Sequence, residues 1–289
     1  FYGEDAFAGL HIMGDLTSEN KQERDERLKE GSTPKKSLKP AIVLEEVPAA
    51  RSPAVALVKN IPTPPFFGFR KESGFDLREI FDYINETALF KNQWQLKTVS
   101  QDDYLQLIEE KYRPILKTLQ EKAIAEGWLE PCAVYGYFPC RSESNDVILY
   151  APPENGVLLD DLPTKEMERF TFPRQKQGRL LSIADYFAPL KGDLTDVIGL
   201  SVVTMGARVS EEAQKLFKAG EYTPYLYLHG LGVESAEALA ELLHKKMREE
   251  LGIADEDGKQ PRDLFHQKYR GSRYSFGYPA CPNLEDQTK

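Results

Sequence analysis

Apolar positions recur at the spacing of a helix, about every 3.6 residues, in four stretches of the chain. The sequence therefore predicts four helices with one apolar face each, at 76–83, 102–126, 210–219 and 222–251. Asp76 is placed to cap the first helix and Gly127 to end the second, because a short acidic side chain accepts N-terminal amide protons and glycine ends helices readily. We expect an irregularity in the last helix at Gly230–Gly232.

Other stretches have the composition of strands. Strands rich in β-branched and aromatic residues are predicted at 132–138, 146–150, 170–175 and 197–206. A polar turn at 141–145 joins the first two, and a short helix or turn is expected at 181–189. The 197–206 stretch is nearly all apolar, so we expect it to be central in the sheet. Hairpin strands mixed with blocks of helices are typical of the α+β class, here a largely antiparallel twisted sheet with flanking helices.

The N-terminal part of the chain differs in composition from the rest. A short amphipathic helix is predicted within residues 1–16, and residues 17–57 are polar and dotted with proline, as is typical of a linker. The folded domain is predicted to span 58–289. Its first segment is a proline-restricted extended arm, 62–70, from which three phenylalanines are expected to enter the core: Phe66, Phe67 and Phe69.

Composition and charge argue against several classes of protein. The net charge is −9, so a general nucleic-acid binder is not expected, because phosphate recognition needs clustered Lys and Arg. No run reaches the roughly 18 apolar residues of a membrane span and no secretion signal opens the chain, so we expect a soluble, cytoplasmic protein. Cys132, Cys140 and Cys281 fit no disulfide framework and no zinc spacing, and we expect free thiols.

The sequence contains no motif of self-sufficient catalysis. It lacks the G-x-S-x-G elbow, the G-x-x-x-x-G-K-[ST] phosphate loop and the H-E-x-x-H zinc motif. The four histidines stand far apart without ligand spacing, and structural or surface roles are expected for them: His11, His229, His244 and His266. We therefore predict no catalytic residue and no metal site, and expect the function to depend on binding and positioning.

Two places are candidates for a binding site. Arg273–Pro279 is predicted to be extended chain that enters a turn, in which Gly277 is free to take a positive φ. On the 222–251 helix, Glu237 lies four residues before Glu241 and so shares its face. On local sequence alone, a surface arginine at 273 and a solvated carboxylate at 237 are the simpler interpretations.

Five sequence blocks carry a resemblance to a known family. They are PTPPFFG (62–68), AVYGYFPCRSESNDVILY (133–150), ADYFAPLKGDLTDVIGLSVVTMG (184–206), EALAELLHKKMRE (237–249) and RYSFGYPACP (273–282). In this order and spacing, residues from about 58 to 289 closely resemble the C-terminal activation domain of cobalamin-dependent methionine synthase. The opening FYGEDAFAGLHIMGDL is similar to the end of that enzyme's cobalamin-binding domain, so the resemblance implies that residues 1–16 are a remnant of it.

The resemblance implies a role in methionine biosynthesis. Domains of this family bind S-adenosylmethionine and serve reductive methylation, in which inactive cob(II)alamin takes an electron from flavodoxin or a similar reductase and a methyl group from the sulfonium. The donor needs no acid or base to release its methyl group, so the protein must only hold it in line with cobalt. The implied cofactors are S-adenosylmethionine and cobalamin, the latter bound mainly by the upstream cobalamin-binding domain, which is also the implied partner. The fragment alone would be an inactive part of a homocysteine methyltransferase.

The same resemblance implies the site residues. The R-x-x-x-G-Y segment of the family lies along S-adenosylmethionine, so backbone groups near Ser275 and Tyr278 would meet the adenine, and Arg273 would pair with the methionine carboxylate. Gly277 would let the main chain approach the ligand without a Cβ. Glu237 matches the family's acidic residue on the neighbouring helix, where it would face the ligand's cationic region or its ribose hydroxyls.

The chain also departs from the family pattern. Pro62 stands where the best-known members have an aspartate that contacts the ligand's amino group, so that contact must come from elsewhere or be weaker. Asn283–Leu284 replaces a frequent Glu-His pair, and members continue beyond the position of Lys289, which predicts a domain truncated at its C-terminus. A docking scaffold for the cobalamin domain and flavodoxin, without donor binding, therefore stays open as an alternative. A free-standing methyltransferase is disfavoured, because no general base or substrate-pocket signature accompanies the motif.

Overall fold

The structure, a computed structural model, describes residues 50–57, 59–96, 100–153, 165–258 and 269–289. The helix predicted within residues 1–16 and the linker up to residue 49 lie outside the described residues, as do His11 and His266.

An antiparallel sheet of five strands organises the described part of the chain. The strands are β1 (Gly68–Ser73), β2 (Cys132–Glu143), β3 (Asp146–Tyr150), β4 (Glu166–Thr171) and β5 (Asp196–Thr204). One edge of β2 pairs first with β1 and then with β3, and its other edge pairs with β5 over Cys132–Cys140. β4 lies beyond β3. The predicted α+β class with an antiparallel sheet is confirmed.

The prediction that the 197–206 stretch is the central strand is wrong. β2 is central, because its twelve residues are long enough to pair with three strands, whereas β5 pairs with β2 alone among the described strands. The apolar side chains of β5 therefore stay partly in solvent, and Val202 is 72% exposed. The predicted strand at 170–175 is also displaced, since β4 ends at Thr171.

The arm at 62–70 turns into an edge strand that the sequence did not predict. Gly68 has a φ of +88°, and from there the chain pairs with β2, so alternate side chains face opposite sides of the sheet. Phe66 is buried, but Phe69 is 61% exposed, so the expectation that it enters the core is wrong. Phe69 lies opposite Gly136 in the register and packs its ring against Phe138, with centroids 4.6 Å apart.

Helices flank the sheet. They are α1 (Leu77–Asp82), α2 (Glu86–Ala88), α3 (Gln101–Leu107), α4 (Arg113–Ala125), α5 (Arg208–Lys218) and α6 (Tyr222–Glu250), with π-helical turns at Leu89–Gln93 and Ile108–Tyr112 and short 3-10 helices at Ile183–Tyr186, Ala254–Glu256 and Leu284–Thr288. Asp76 caps α1 as predicted, accepting the amide proton of Arg78 at 2.8 Å. The predicted 102–126 helix is present as α3, a π turn and α4, and Gly127 follows it with a φ of +60°.

α6 runs without interruption through Gly230 and Gly232, so the predicted irregularity is wrong. A Cβ on Gly230 would lie 2.9 Å from the indole ring of Trp94, and one on Gly232 would lie 3.1 Å from Val209. These glycines permit close packing of neighbouring elements on an otherwise regular helix. None of the helices in the described ranges is long and apolar enough to cross a membrane.

Part of the core of the domain lies on the two faces of the sheet, and its largest cluster lies among the helices. On one face the C-terminal half of α6 packs its Leu243 and Met247 against the rings of Tyr135 and Tyr137. On the other face a second cluster joins β2, β3 and β4 to the C-terminal segment, through residues that include Phe138, Cys140, Phe170, Phe172 and Cys281. The three cysteines are free, as predicted. Burial raises the pKa of the Cys140 and Cys281 thiols, which keeps them protonated.

The last residues of the predicted linker contact the domain. Arg51 Nη1 donates a hydrogen bond to the carbonyl of Phe187 at 2.8 Å, and Ser52 Oγ donates one to the carbonyl of Arg179 at 2.6 Å. Ser52 is buried. The division of the chain at residues 57 and 58 stays a proposal.

Candidate functional site

Arg273 lies against α6, where two carboxylates face its guanidinium. Its Nη2 lies 3.3 Å from Oε2 of Glu241 and 3.6 Å from Oε2 of Glu237. The side chain of Glu237 is 56% exposed, that of Arg273 is 26% exposed and that of Glu241 is only 9% exposed. The structure thus brings together Arg273 and Glu237, two of the residues proposed from sequence, and adds the buried carboxylate of Glu241.

Two polar atoms in this group are buried and have no hydrogen-bond partner within the described residues. They are Oε1 of Glu241 and Nε of Arg273. Buried polar atoms in proteins nearly always have a partner, because burial strips them of water. One atom of the pair accepts hydrogen bonds and the other donates them.

A tight turn follows Arg273 and holds the other proposed site residues. Gly277 has a φ of +97°, and its amide donates to the carbonyl of Cys281 at 2.9 Å. The carbonyl of Ser275 accepts the amide proton of Tyr278 at 3.4 Å and the thiol of Cys281 at 2.9 Å. These bonds fix the backbone at Ser275 and Tyr278, and they occupy the Ser275 carbonyl within the turn itself.

Aromatic side chains of this segment alternate between core and solvent. Phe276 packs on Phe170 with ring centroids 5.8 Å apart, which anchors the turn to the sheet. The rings of Tyr274 and Tyr278 are 47% and 62% exposed. A segment fixed on one side by Phe276 therefore presents two aromatic rings to solvent beside Arg273.

A network of contacts around the buried guanidinium of Arg248 lies next to the segment that leads to Arg273. The guanidinium of Arg248 pairs with Asp257 at 2.7 Å, lies over the ring of Tyr269 at 4.2 Å and donates to Nδ1 of His244 at 2.6 Å. His244 also hydrogen-bonds the backbone of Gly271. Burial, with the positive charges of Arg248 and Arg273, lowers the pKa of His244 to about 3, so the imidazole is neutral at physiological pH.

Sequence reasoning assigned no role in the site to three members of this region: Glu241, which it named only as a neighbour of Glu237, His244, for which it expected a structural or surface role, and Tyr269. A signal for the first two existed in the spacing, since both lie within two turns of Glu237 on α6. Their burial depends on the 269–273 segment, which is distant in sequence. In the described part of the chain, no group of three His, Cys, Asp or Glu side chains is arranged to hold a metal ion.

A separate groove of about 590 Å³ lies between α4, α5 and the start of α6. Its lining is mainly apolar and includes Leu119, Trp128, Leu216 and Tyr227, and none of the residues near Arg273 belongs to it. The arginine and its two carboxylates therefore form the candidate site, whereas nothing in the structure indicates what the groove would bind.

These features define an α+β domain with an arginine–carboxylate site between a long helix and a C-terminal turn. The profile of a family described as "Vitamin B12 dependent methionine synthase, activation domain" matches residues 76–289. The chain therefore belongs to this family, and the resemblance stated from its sequence blocks is confirmed.

Two mycobacterial proteins are similar to the whole chain. Methionine synthase of Mycobacterium tuberculosis (strain ATCC 25618 / H37Rv) is 36% identical over 319 residues, and that of Mycobacterium leprae (strain TN) is 34% identical over 326 residues. Each alignment takes in 100% of this chain and 26% of the relative. The chain thus spans about a quarter of the length of these relatives.

The fold is similar to that of a solved structure described as "Crystal Structure of the MetH Reactivation Domain bound to AdoHcy". The TM-score is 0.67 at 24% sequence identity, over 80% of this chain and 71% of that chain. This similarity supports the fold assignment.

Proposed function

We propose that the chain is the reactivation domain of a cobalamin-dependent methionine synthase and that it binds S-adenosylmethionine beside Arg273. The observation that carries the proposal is the position of Arg273, partly buried against Glu237 and Glu241 at the start of the R-x-x-x-G-Y turn. Family membership supports it, and so does the AdoHcy bound by the structurally similar MetH domain.

Each proposed residue has a role that its geometry permits. Arg273 exchanges part of its contact with α6 for a charge-assisted bond to the methionine carboxylate. The turn at Ser275, Gly277 and Tyr278 lies along the adenine: the φ of +97° at Gly277 shapes the turn, and the exposed Tyr278 offers the adenine a surface. Glu237 is exposed enough to reorient toward the ribose hydroxyls or the cationic region of the ligand.

The domain acts by holding the donor and contributes no proton transfer. The cobalamin-binding domain of the same polypeptide would hold cobalamin as the methyl acceptor, and flavodoxin or a similar reductase would supply the electron for reductive methylation. Arg273 and the turn fix the two ends of S-adenosylmethionine, so the sulfonium methyl group between them has a defined position. In this proposal no side chain of the domain acts as a catalytic residue, which is also what the sequence predicts.

Titration calorimetry with S-adenosylmethionine tests the proposal. Arg273→Ala should weaken binding by about 1.5–3 kcal/mol, the range for a hydrogen bond to a charged group. Arg179→Ala removes an exposed arginine outside the site and serves as the matched control, for which we expect unchanged affinity. Equal affinities of the Arg273→Ala variant and the wild type would remove Arg273 from the site.

A docking scaffold without donor binding is the second candidate function. It is favoured by the carboxylates that already face Arg273 and by Pro62, which offers no side-chain acceptor. Remethylation of cob(II)alamin under reducing conditions by the complete polypeptide separates the two candidates. Dependence on S-adenosylmethionine supports the reactivation domain, and equal remethylation when 5-methyltetrahydrofolate is the sole methyl donor supports the scaffold.

A further inference from the structure

The two buried atoms without partners next to Arg273 form a complementary pair. Oε2 of Glu241 is held by Nη2 of Arg273 at 3.3 Å, whereas Oε1 of the same carboxylate has no partner in the described part of the chain. Nε of Arg273 is buried and unpaired in the same way. A ligand that satisfies both atoms must present a donor to the carboxylate and an acceptor to the guanidinium.

The charge of this group indicates the chemistry of that donor. Two carboxylates, Glu237 and Glu241, face the single guanidinium of Arg273, which leaves one negative charge in excess. The neighbouring cation Arg248 is paired with Asp257, and the neutral His244 adds no charge. A cationic donor is therefore favoured over a hydroxyl group.

An ammonium group next to a carboxylate meets both requirements, and this is the α-amino acid end of S-adenosylmethionine. We propose that Glu241 is a specificity residue that accepts a hydrogen bond from the α-ammonium group of the ligand while it holds Arg273 in place. This inference rests on the proposed function and adds the recognition of one ligand group to it.

Glu241 is better suited to this role than Glu237. Its side chain is 9% exposed, against 56% for Glu237, so water screens its charge much less. Its position is also fixed by the contact with Arg273, which orients the free oxygen before the ligand binds. A preorganised buried carboxylate discriminates strongly against a ligand that leaves it unpaired, because the carboxylate then stays buried without a partner.

Two ligands test the inference: S-adenosylhomocysteine and its deaminated analogue, which keeps the carboxylate and loses only the amino group. The wild-type chain should prefer the amino ligand roughly 10- to 100-fold in calorimetry, the effect of a hydrogen bond to a charged group. In Glu241→Gln, which keeps the shape and removes the charge, the preference should fall to within about threefold. The contacts of Arg273 weaken for both ligands in this variant, so the ratio of the two affinities reports only the contribution of the amino group.

Glu234→Gln is the matched control. Glu234 lies on the same helix and is also buried, but its carboxylate accepts from Gln93 at 3.1 Å. This variant should keep the wild-type preference. If Glu241→Gln keeps it as well, the inference is overturned, while binding of S-adenosylhomocysteine by the wild type still supports the proposed function.

Two further outcomes are decisive. A wild-type chain that binds neither ligand contradicts the proposed function and the inference together. If thermal unfolding shows that Glu241→Gln is not folded, Glu241→Asp takes its place, since it keeps the charge but withdraws the carboxylate by one methylene. The preference should then fall at least threefold, and an unchanged preference would again overturn the inference.

Discussion

Nδ1 of His244 lies 2.6 Å from Nη1 of Arg248, so a half-buried imidazole accepts a hydrogen bond from a buried guanidinium. This contact requires a neutral imidazole, because a protonated one has no lone pair to offer. The same histidine bonds the backbone at Gly271, two residues before Arg273. The protonation state of one side chain is thereby linked to the segment that presents the candidate site.

His244 should make the stability of the domain depend on pH below neutrality. Its pKa is lowered to about 3 in the folded state from an ordinary value of 6.5, so the unfolded chain binds a proton that the folded chain refuses. The resulting stabilisation is present above pH 6.5 and is lost as the pH falls toward 3. Between pH 7 and pH 5 the free energy of unfolding should fall by roughly 2 kcal/mol from this group.

Urea unfolding of the wild type and His244→Asn at several pH values measures this contribution. In the variant, the free energy of unfolding should depend less steeply on pH, because the contribution of residue 244 is lost. The variant should also be less stable than the wild type at pH 7. His229→Gln removes an exposed histidine of the same helix and is the matched control. Parallel slopes for the wild type and His244→Asn would show that the folded state does not keep the imidazole neutral.

Gly277→Ala should destabilise the turn that carries the proposed site. Its φ of +97° disfavours any L side chain, and a Cβ there would lie 2.8 Å from Cδ2 of Leu284. We expect a loss of about 1–3 kcal/mol in the free energy of unfolding, measured by urea denaturation. Gly178→Ala is the control, because it has a φ of +73° with nothing within 4 Å of the added Cβ, so it tests the backbone cost alone. A smaller loss at 277 than at 178 would contradict the predicted clash.

Much of the fold could be predicted because the apolar residues on the buried face of a helix or strand recur at regular spacing in the sequence. The predicted helix at 222–251 matches α6, Tyr222–Glu250, since its long apolar face is buried along the core. The side chains of the 62–70 arm could not be assigned correctly, because an apolar run does not tell which of its alternating residues face the core. Phe69 covers Gly136 on a sheet face that forms only when β1 and β2 meet.

The candidate site could be predicted only in part. The sequence blocks indicated Arg273 and Glu237, because the motif is local and the resemblance gives it a context. The burial of Glu241 could not be predicted, because it depends on a guanidinium that is 32 residues away in sequence. The resemblance implied that an acceptor was missing at Pro62, and the unpaired oxygen of Glu241 offers one.

Gly230→Ala should destabilise the domain although alanine favours helices. In an exposed helix the change would stabilise by up to about 1 kcal/mol. Here the added Cβ would meet Cβ of Gln93 at 2.8 Å and the Trp94 ring at 2.9 Å, so overpacking of about 1–3 kcal/mol outweighs the gain in propensity. Thermal unfolding should show a lower midpoint for this variant, and a higher one would mean that the π-helical turn at Leu89–Gln93 moves away without cost.

Asp257→Asn should be among the most destabilising single changes near the site. The carboxylate of Asp257 is the ion-pair partner of Arg248 at 2.7 Å, and their side chains are only 9% and 2% exposed. Removal of its charge leaves a guanidinium buried without a counter-ion, which costs about 3–5 kcal/mol in other proteins. Glu249→Gln is the matched control, since Glu249 faces Lys245 at 3.8 Å on the surface and its loss should cost less than about 0.5 kcal/mol.

Because Arg248 also packs on Tyr269, Asp257→Asn should weaken S-adenosylhomocysteine binding even where the variant is still folded. Unfolding and calorimetry on the same samples check both effects, and a stable variant with wild-type affinity would separate this network from the site.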